Sequence, residues 1–428
     1  MYKTIRSPMI VQWEVTDRCN KNCVHCYNHW QLSQNDMVTE ESVNYETSVQ
    51  EIIKNDVFLV IVTGGEPLLV FDRIFPYLKK LRAANVDVSI NSNLSLLTHK
   101  IALKLKEIGI NSFLTSLPGH TQSLDYQITQ STRSWEQTSQ GIRLAIQEGF
   151  HVTANMVVSK INLPFIYDTG RYAKELGVNV FSVTKASQPT NCPDFTPFRL
   201  SRSDFRQSAR ELLRVKKDFD IAVDSIEGYP VCSIEDPILR QEVGFSRICT
   251  AGRTFCVIST DGTKRPCIVL SDKYVGDLNT AWLAMDEFRS NDMIPSECNN
   301  CPRKFNCMGG CKAEAKHVNG SYRQPDPYCD FAVPIENLVD GQIKESIKDL
   351  PTVLYLNPKA KIRQENFGGI IYVSPRYWSL INEDLYQFMK TINYQPFSTR
   401  DLSLAMSITD EQAKQTVLFL AKRHLLLI

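Results

Sequence analysis

Long apolar runs are missing from this 428-residue chain. No stretch approaches the roughly 20 residues that cross a bilayer, and the N-terminal segment, with Lys3, Arg6 and Trp13-Glu14, lacks the apolar core of a secretory signal. Excess charge of either sign is missing too. Lys and Arg number 48 against 47 Asp and Glu, which leaves no electrostatic footprint for bulk nucleic acid or a membrane surface. The expected location is the cytoplasm, with neither nucleic acid nor membrane as a partner. Cysteine, in contrast, is plentiful. Thirteen cysteines in a reducing compartment cannot form a disulfide framework, so metal ligation is the better expectation. Three stand at Cys19, Cys23 and Cys26, nine lie between Cys232 and Cys329, and the last is Cys192. The length exceeds one core of typical size and implies two or three domains.

From residue 10 to about 185 apolar runs alternate with amphipathic stretches. Strands are expected at Ile10 to Val15, Val57 to Val62, Val86 to Ile90, Ser112 to Ser116, His151 to Val158 and Val180 to Val183. Helices are expected at Glu40 to Lys54, Phe71 to Ala84, Lys100 to Ile108, Trp135 to Glu148 and Phe165 to Leu176. Six such units predict an α/β fold, a partial (β/α)6 TIM-like barrel with ligands at the carboxyl ends of its strands. The expected domains are the barrel over 1–200, a bridging helical segment over 201–248, an irregular cysteine-rich domain over 249–340 and a small winged-helix-like α+β module over 345–428.

Three thiolates at C-x3-C-x2-C hold only three irons of a cubane cluster, leaving the fourth iron open. Alone, the triplet also fits a zinc knuckle or a disulfide pair. About forty residues on, the run Val57 to Val62 passes into Thr63-Gly64-Gly65-Glu66-Pro67, a buried parallel strand and its C-terminal turn. Together with His25, the aromatic residue before the third cysteine, these motifs resemble the radical S-adenosylmethionine (radical SAM) enzymes. The resemblance implies a 4Fe-4S cluster on Cys19, Cys23 and Cys26 whose open iron is chelated by SAM. On reduction, SAM is cleaved to methionine and a 5'-deoxyadenosyl radical. Gly64, Gly65, Glu66 and Pro67 would line the methionine end, the glycines allowing close backbone approach and the carboxylate accepting from the amino group. By the same resemblance Asn91 and Ser92 after the third strand, Ser116 ending the fourth, Arg133 and Asn155 join the SAM contacts. Ser116-Leu117-Pro118-Gly119 departs from the family's Ser-Leu-Asp-Gly by a proline in place of the acid.

The later cysteines read Cys249-x6-Cys256-x5-Gly262-x4-Cys267, then Cys298-x2-Cys301-x5-Cys307-x3-Cys311, then Cys329. They resemble the SPASM pattern, whose domains hold two auxiliary 4Fe-4S clusters. Eight thiolates are what two fully ligated cubanes need. By resemblance to the sulfatase-maturing members, Cys249, Cys256, Cys267 and Cys311 would hold the first and Cys298, Cys301, Cys307 and Cys329 the second. A zinc reading takes Cys298, Cys301, Cys307 and Cys311 as one tetrahedral site and strands four cysteines. Cys192 and Cys232 stand outside every motif and read as small buried hydrophobes. Closed clusters suit electron transfer. The sulfatase maturases place an aspartate base after the third cysteine of the first auxiliary set. Ile268, Val269 and Leu270 stand there in this chain, so formylglycine-type oxidation is not expected.

Beyond Cys329 the chain becomes cysteine-free. Strand-like runs at Thr352 to Pro358, Lys361 to Glu365 and Phe367 to Val373, with a bend at Gly368-Gly369, precede helices at Glu383 to Ile392, Thr399 to Met406 and Asp410 to Arg423. This order resembles the PqqD-like element that captures the leader of a precursor peptide as an added strand. A nucleic-acid-binding winged helix would want a basic recognition helix, and the last helix is mixed in charge. The resemblances together imply an oxidoreductase of the radical SAM/SPASM type, a maturase that forms a carbon–carbon, ether or thioether crosslink in a ribosomally synthesised peptide. Its cofactors would be SAM and three 4Fe-4S clusters. Its partners would be the precursor peptide, its leader bound by the C-terminal module, and an external reductant such as flavodoxin or ferredoxin. The alternatives are a maturase of a protein side chain, a cofactor-biosynthesis enzyme and a non-catalytic redox sensor or binding protein.

Overall fold

The computed structural model describes residues 3–28, 38–39, 41–189, 192, 194–245, 247–338 and 350–427. Two compact units divide the chain: Ser7–Gly341, and Lys3–Arg6 with Gln342–Ile428.

In the larger unit, strands β1 (Ile10–Glu14), β2 (Leu59–Thr63), β3 (Asp87–Asn91), β4 (Ser112–Ser116), β5 (His151–Val158) and β6 (Val180–Lys185) alternate with helices Tyr45–Lys54, Phe71–Ala83, His99–Glu107, Ser134–Gln147 and Ile166–Leu176. The expected partial barrel is therefore present. Local chemistry sets the helix ends. Asn44 caps the first of these helices by accepting from Thr47 N, and Gly177, at φ +83°, stops the last in the left-handed conformation. A further helix, Gln122–Thr129, falls between β4 and β5, and a long one, Arg202–Phe219, opens on a Ser201/Asp204 capping box.

The sheet extends past six strands. Strands β7 (Ala222–Asp224), β8 (Phe255–Ile258) and β9 (Lys264–Arg265) join it in the order β7-β6-β5-β4-β3-β2-β1-β8-β9. All neighbours are parallel except the β8–β9 hairpin, and β7 and β9 remain as edges. Gly262, at φ +80°, makes the turn of that hairpin. Because β8 lies parallel to β1 in the register Val11↔Cys256 and Gln12↔Val257, the cysteine-rich segment and the first barrel strand share one sheet.

Alternation along β1 defines its two faces. Trp13 packs edge-on to Tyr45 of helix Tyr45–Lys54, so Val11 and Trp13 face the helices. Gln12 and Glu14 face the interior, where Glu14 Oε1 accepts from Arg265 Nη2 at 2.5 Å with both side chains 4% exposed.

In the smaller unit, β10 (Tyr355–Leu356) pairs with β14 (Leu426–Leu427), and β11 (Lys361–Glu365), β12 (Gly368–Tyr372) and β13 (Trp378–Ile381) form an antiparallel sheet with β12 in the middle. Helices Glu383–Ile392, Thr399–Met406 and Asp410–Ala421 cover it around Leu385, Met389, Leu402, Val417 and Leu420. The Gly368-Gly369 pair opens β12 directly after the two-residue turn from β11, Gly368 at φ +131°, and a Cβ on Gly369 would stand 2.5 Å from the Tyr386 ring. Glu365 is buried with Arg363 (2.8 Å) and also accepts from Arg6 N at 2.7 Å.

Removing one partner of a buried ion pair leaves an uncompensated charge and costs about 3–5 kcal/mol. Arg265→Met is therefore expected to lower the thermal midpoint of the larger unit by several degrees, and Glu14→Gln added to it should recover part of the loss, as read by calorimetry.

Candidate functional site

The three N-terminal cysteines ride on the loop that leaves the carboxyl end of β1. Two backbone bonds fasten this loop to the turn after β2: Gly65 N donates to Thr16 O at 2.6 Å and Glu66 N to Arg18 O at 2.8 Å. A Cβ on Gly64 would lie 2.3 Å from Thr16 O, and one on Gly65 would lie 2.0 Å from Arg18 O. The two glycines are thus needed for the turn to lie against the cysteine loop itself. On its other side the loop is held by Asn22 N and Val24 N, which donate to Thr129 O and Ile128 O at the end of helix Gln122–Thr129. Asp17 secures its base, accepting from Val38 N (2.9 Å) and Thr260 Oγ1 (2.8 Å).

Cys19 and Cys23 both lie close enough to Cys26 for its charge to act on them. Cys19 lies exposed on the loop and Cys23 is half-buried; the protein packed around their sulfurs, with the neighbouring Cys26, pushes both thiols up, and a shared cation would offset that. Beside them His25 Nδ1 is buried without a hydrogen-bond partner, and burial lowers the ring to about 4. It stands there as a neutral imidazole. Three neighbouring thiols next to an orphaned buried nitrogen suit a bound iron–sulfur group.

Glu66 organises the neighbouring strand end. Its Oε1 accepts from Ser92 Oγ (2.7 Å) and Leu68 N (3.0 Å), its Oε2 from Asn93 N (2.8 Å), and Pro67 begins the short 3-10 turn that follows. Most of the carboxylate's acceptor capacity is therefore spent inside the protein, which leaves one lone pair on Oε2 for a donor from outside. Asn91 ends β3 and Ser116 ends β4, opposite Asn155 of β5. Asn155 is buried, its Oδ1 accepting from Ser182 and Thr184. Arg133 is exposed at the start of helix Ser134–Gln147. Glu66, Ser92 and the turn glycines form one hydrogen-bonded patch with the cysteine loop, whereas Arg133 stands outside it.

The cysteine-rich segment gathers two further groups. Cys267 and Cys311 both sense the charge of Cys249. Cys298 senses Cys307 and Cys301, and Cys329 senses Cys307. Cys256 joins neither group: it is fully buried on β8, and the charges that reach it are those of Lys264, Glu51 and Arg289. Cys232, expected outside every motif, lies within the second group, its free thiol hydrogen-bonded with that of Cys329 and accepting from Asp330 N at 3.3 Å. Its position in the 3-10 turn Val231–Ser233 after Pro230 gave no spacing signal. Cys192 is buried against Ala186 and Phe195. Among the described residues no cluster of His, Cys, Asp or Glu has the tight convergence of a single-ion site. A zinc ion draws its thiolates to about 2.3 Å, whereas a cubane spreads them over four irons.

Lys185, at the end of β6, was missed because the apolar run stops at Val183. Its side chain is 1% exposed, with Nζ 2.8 Å from Ser187 Oγ, 3.3 Å from Glu314 and 3.4 Å from Glu227. Burial opposes the ammonium, but the two carboxylates outweigh it and hold Lys185 well above its usual range. Arg199 completes the cage through Glu314 at 2.9 Å. Asp326 joins the two cysteine groups, accepting from Cys311 N and Tyr328 N at 2.8 Å each.

Residues 13–163 match the Radical SAM superfamily, and the chain accordingly carries a radical SAM domain, which implies SAM and a 4Fe-4S cluster. It is 25% identical to an AdoMet-dependent heme synthase of Methanosarcina barkeri, over 77% of this chain and 99% of that protein. It is 21% identical to a PqqA peptide cyclase of Gluconobacter oxydans, over 81% and 97%. Its fold is similar to that of Streptococcus suis SuiB bound to S-adenosylmethionine, at a TM-score of 0.60 and 18% identity, over 76% and 78%. Among the described residues no helix is long and apolar enough to cross a membrane.

The Glu66 network has a measurable consequence. Glu66→Ala frees the Ser92–Asn93 segment and should raise the SAM dissociation constant at least about tenfold, roughly 1.4 kcal/mol, with iron content unchanged; equilibrium dialysis on the reconstituted protein reads both.

Proposed function

We propose, from the radical SAM domain of residues 13–163, that this chain oxidatively crosslinks a ribosomally synthesised peptide. When bound, the cluster on Cys19, Cys23 and Cys26 supplies the electron that cleaves SAM, and clusters in the cysteine-rich segment supply sites for the electron that oxidation releases. In the proposed reaction a new bond replaces one C–H and one further hydrogen of the substrate. The first leaves in 5'-deoxyadenosine, the second as a proton and an electron.

The protein's own part is positional. The Gly64-Gly65 turn and Glu66 keep the cysteine loop and the β3 end in register with each other. The fixed charges of Lys185, Glu227, Glu314 and Arg199 form a polar wall among the cysteines of the C-terminal half of the larger unit. The observation that carries the peptide reading is the separate C-terminal unit. Its antiparallel sheet ends in the edge strand β13, which pairs only with β12 among the described strands, and an edge of this kind can take up a peptide strand. A peptide cyclase among the relatives supports the same reading.

A second reading, synthesis of a cofactor, is favoured by the heme synthase relative, which this chain matches over nearly that protein's whole length. That match covers 77% of this chain, and the peptide cyclase match 81%.

The first of two experiments tests the radical chemistry common to both readings, and the second separates them. Anaerobically reconstituted protein with reductant and SAM should release 5'-deoxyadenosine, and the Cys19→Ala, Cys23→Ala, Cys26→Ala triple variant should release none. A short peptide encoded beside this gene, coexpressed with the enzyme, should lose two hydrogens by mass spectrometry. Removing residues 345–428 should abolish that loss while sparing slow SAM cleavage; an unmodified peptide with turnover of a tetrapyrrole precursor would establish the cofactor reading instead.

A further inference from the structure

Cys232 brings the second cysteine group to five thiols, one more than a cubane takes. Its contacts are those of a member of that group. It packs with Cys301 against Cys307, Val231, Val333 and Leu338, and its charge acts on Cys298 and Cys307. Its sulfur and that of Cys329 are hydrogen-bonded to each other.

Two sets of contacts fix this placement. Arg206, on helix Arg202–Phe219, clasps the two segments that carry the pair: its Nε donates to Ser233 O at 3.0 Å and its guanidinium pairs with the Asp330 carboxylate. The turn Val231–Ser233 also gives the group a backbone donor, since Cys307 Sγ accepts from Val231 N as well as from Gly309 N and Gly310 N. Cys232 Sγ accepts from Asp330 N at 3.3 Å, and Cys329 Sγ donates to Gly309 O at 3.6 Å. Backbone N–H groups are the donors that a cluster-bound thiolate accepts from, whereas a carbonyl acceptor suits a thiol that keeps its proton. Cys232 therefore has the surroundings of a ligand, and Cys329, the cysteine that spacing favours, has a place to hold a proton.

Resting on the reading that the cysteine-rich segment holds auxiliary clusters, we propose that Cys232 and Cys329 are alternative ligands to one iron of the second cluster, with Cys298, Cys301 and Cys307 holding the other three. In the exchange one Fe–S bond forms as the other breaks. The incoming thiol gives up its proton, the outgoing thiolate takes it across the hydrogen bond between the two sulfurs, and no electron is transferred. The cluster is closed in both forms, so it serves electron transfer whichever sulfur carries the proton.

The test uses full-length, anaerobically reconstituted protein and reads iron, sulfide and the EPR spectrum of the reduced clusters. Wild type should carry about twelve irons per chain, and the Cys298→Ala, Cys301→Ala, Cys307→Ala triple variant about eight, which locates a cluster in this group. Cys232→Ala and Cys329→Ala should each keep about twelve, whereas the double variant should fall to about eight. Valine takes the place of alanine wherever the smaller side chain fails to fold. Loss of about four irons in Cys329→Ala alone would reduce Cys232 to a hydrogen-bond partner, and the same loss in Cys232→Ala alone would make it an obligatory ligand. Either result, or about twelve irons in the double variant, would overturn the proposal with the cluster present. A triple variant with the wild-type iron content would remove the second cluster itself and with it the premise.

Discussion

Two backbone hydrogen bonds, Gly65 N to Thr16 O and Glu66 N to Arg18 O, carry the organisation of the catalytic end of this molecule. They hold the cysteine loop flat against the turn after β2, an approach that only residues without a Cβ can make. Everything around the loop follows from that contact. Glu66 is pinned with both oxygens turned to the end of β3, the Nδ1 of half-buried His25 is shielded from solvent, and Asp17 reaches Thr260.

The buried charges form a second tier. Glu14 with Arg265, Lys185 with Glu227 and Glu314, and Lys264 with Glu51 each join one element of the parallel sheet to a distant segment. Buried ion pairs of this kind contribute little net stability, because desolvation offsets the attraction. Their effect is geometric. An alternative packing of the cysteine-rich segment would leave a charge unpaired in the interior, so the pairs select one arrangement among the many a loop-rich segment could adopt.

Legibility in the sequence followed locality. The strands from Ile10 to Val158, their helices and the Gly64 to Pro67 turn depend on neighbours along the chain, and periodicity and turn chemistry located them within a few residues. Lys185 escaped because an apolar run ends at Val183 while the hydrogen-bonded strand continues, and its carboxylate partners lie far off in sequence. Cys256 fits a spacing, yet spacing is blind to which face of a strand a side chain leaves; the register with Val11 supplies that information. Cys232 failed in the opposite sense, being solitary in sequence and crowded in space.

The addition of β8 to the free side of β1 has a bearing on how this protein is made. Parallel pairing between strands so far apart, reinforced by the Asp17–Thr260 bond across 243 residues, cannot form until the cysteine-rich segment has left the ribosome. Such distant contacts are slow to close and leave an unpaired strand edge exposed in the meantime. The loop bearing Cys19, Cys23 and Cys26 is thus synthesised well before the segment that fixes it. Any machinery that delivers iron and sulfide meets those three thiols on an unfinished sheet, with a long interval for loading before β8 closes over the edge.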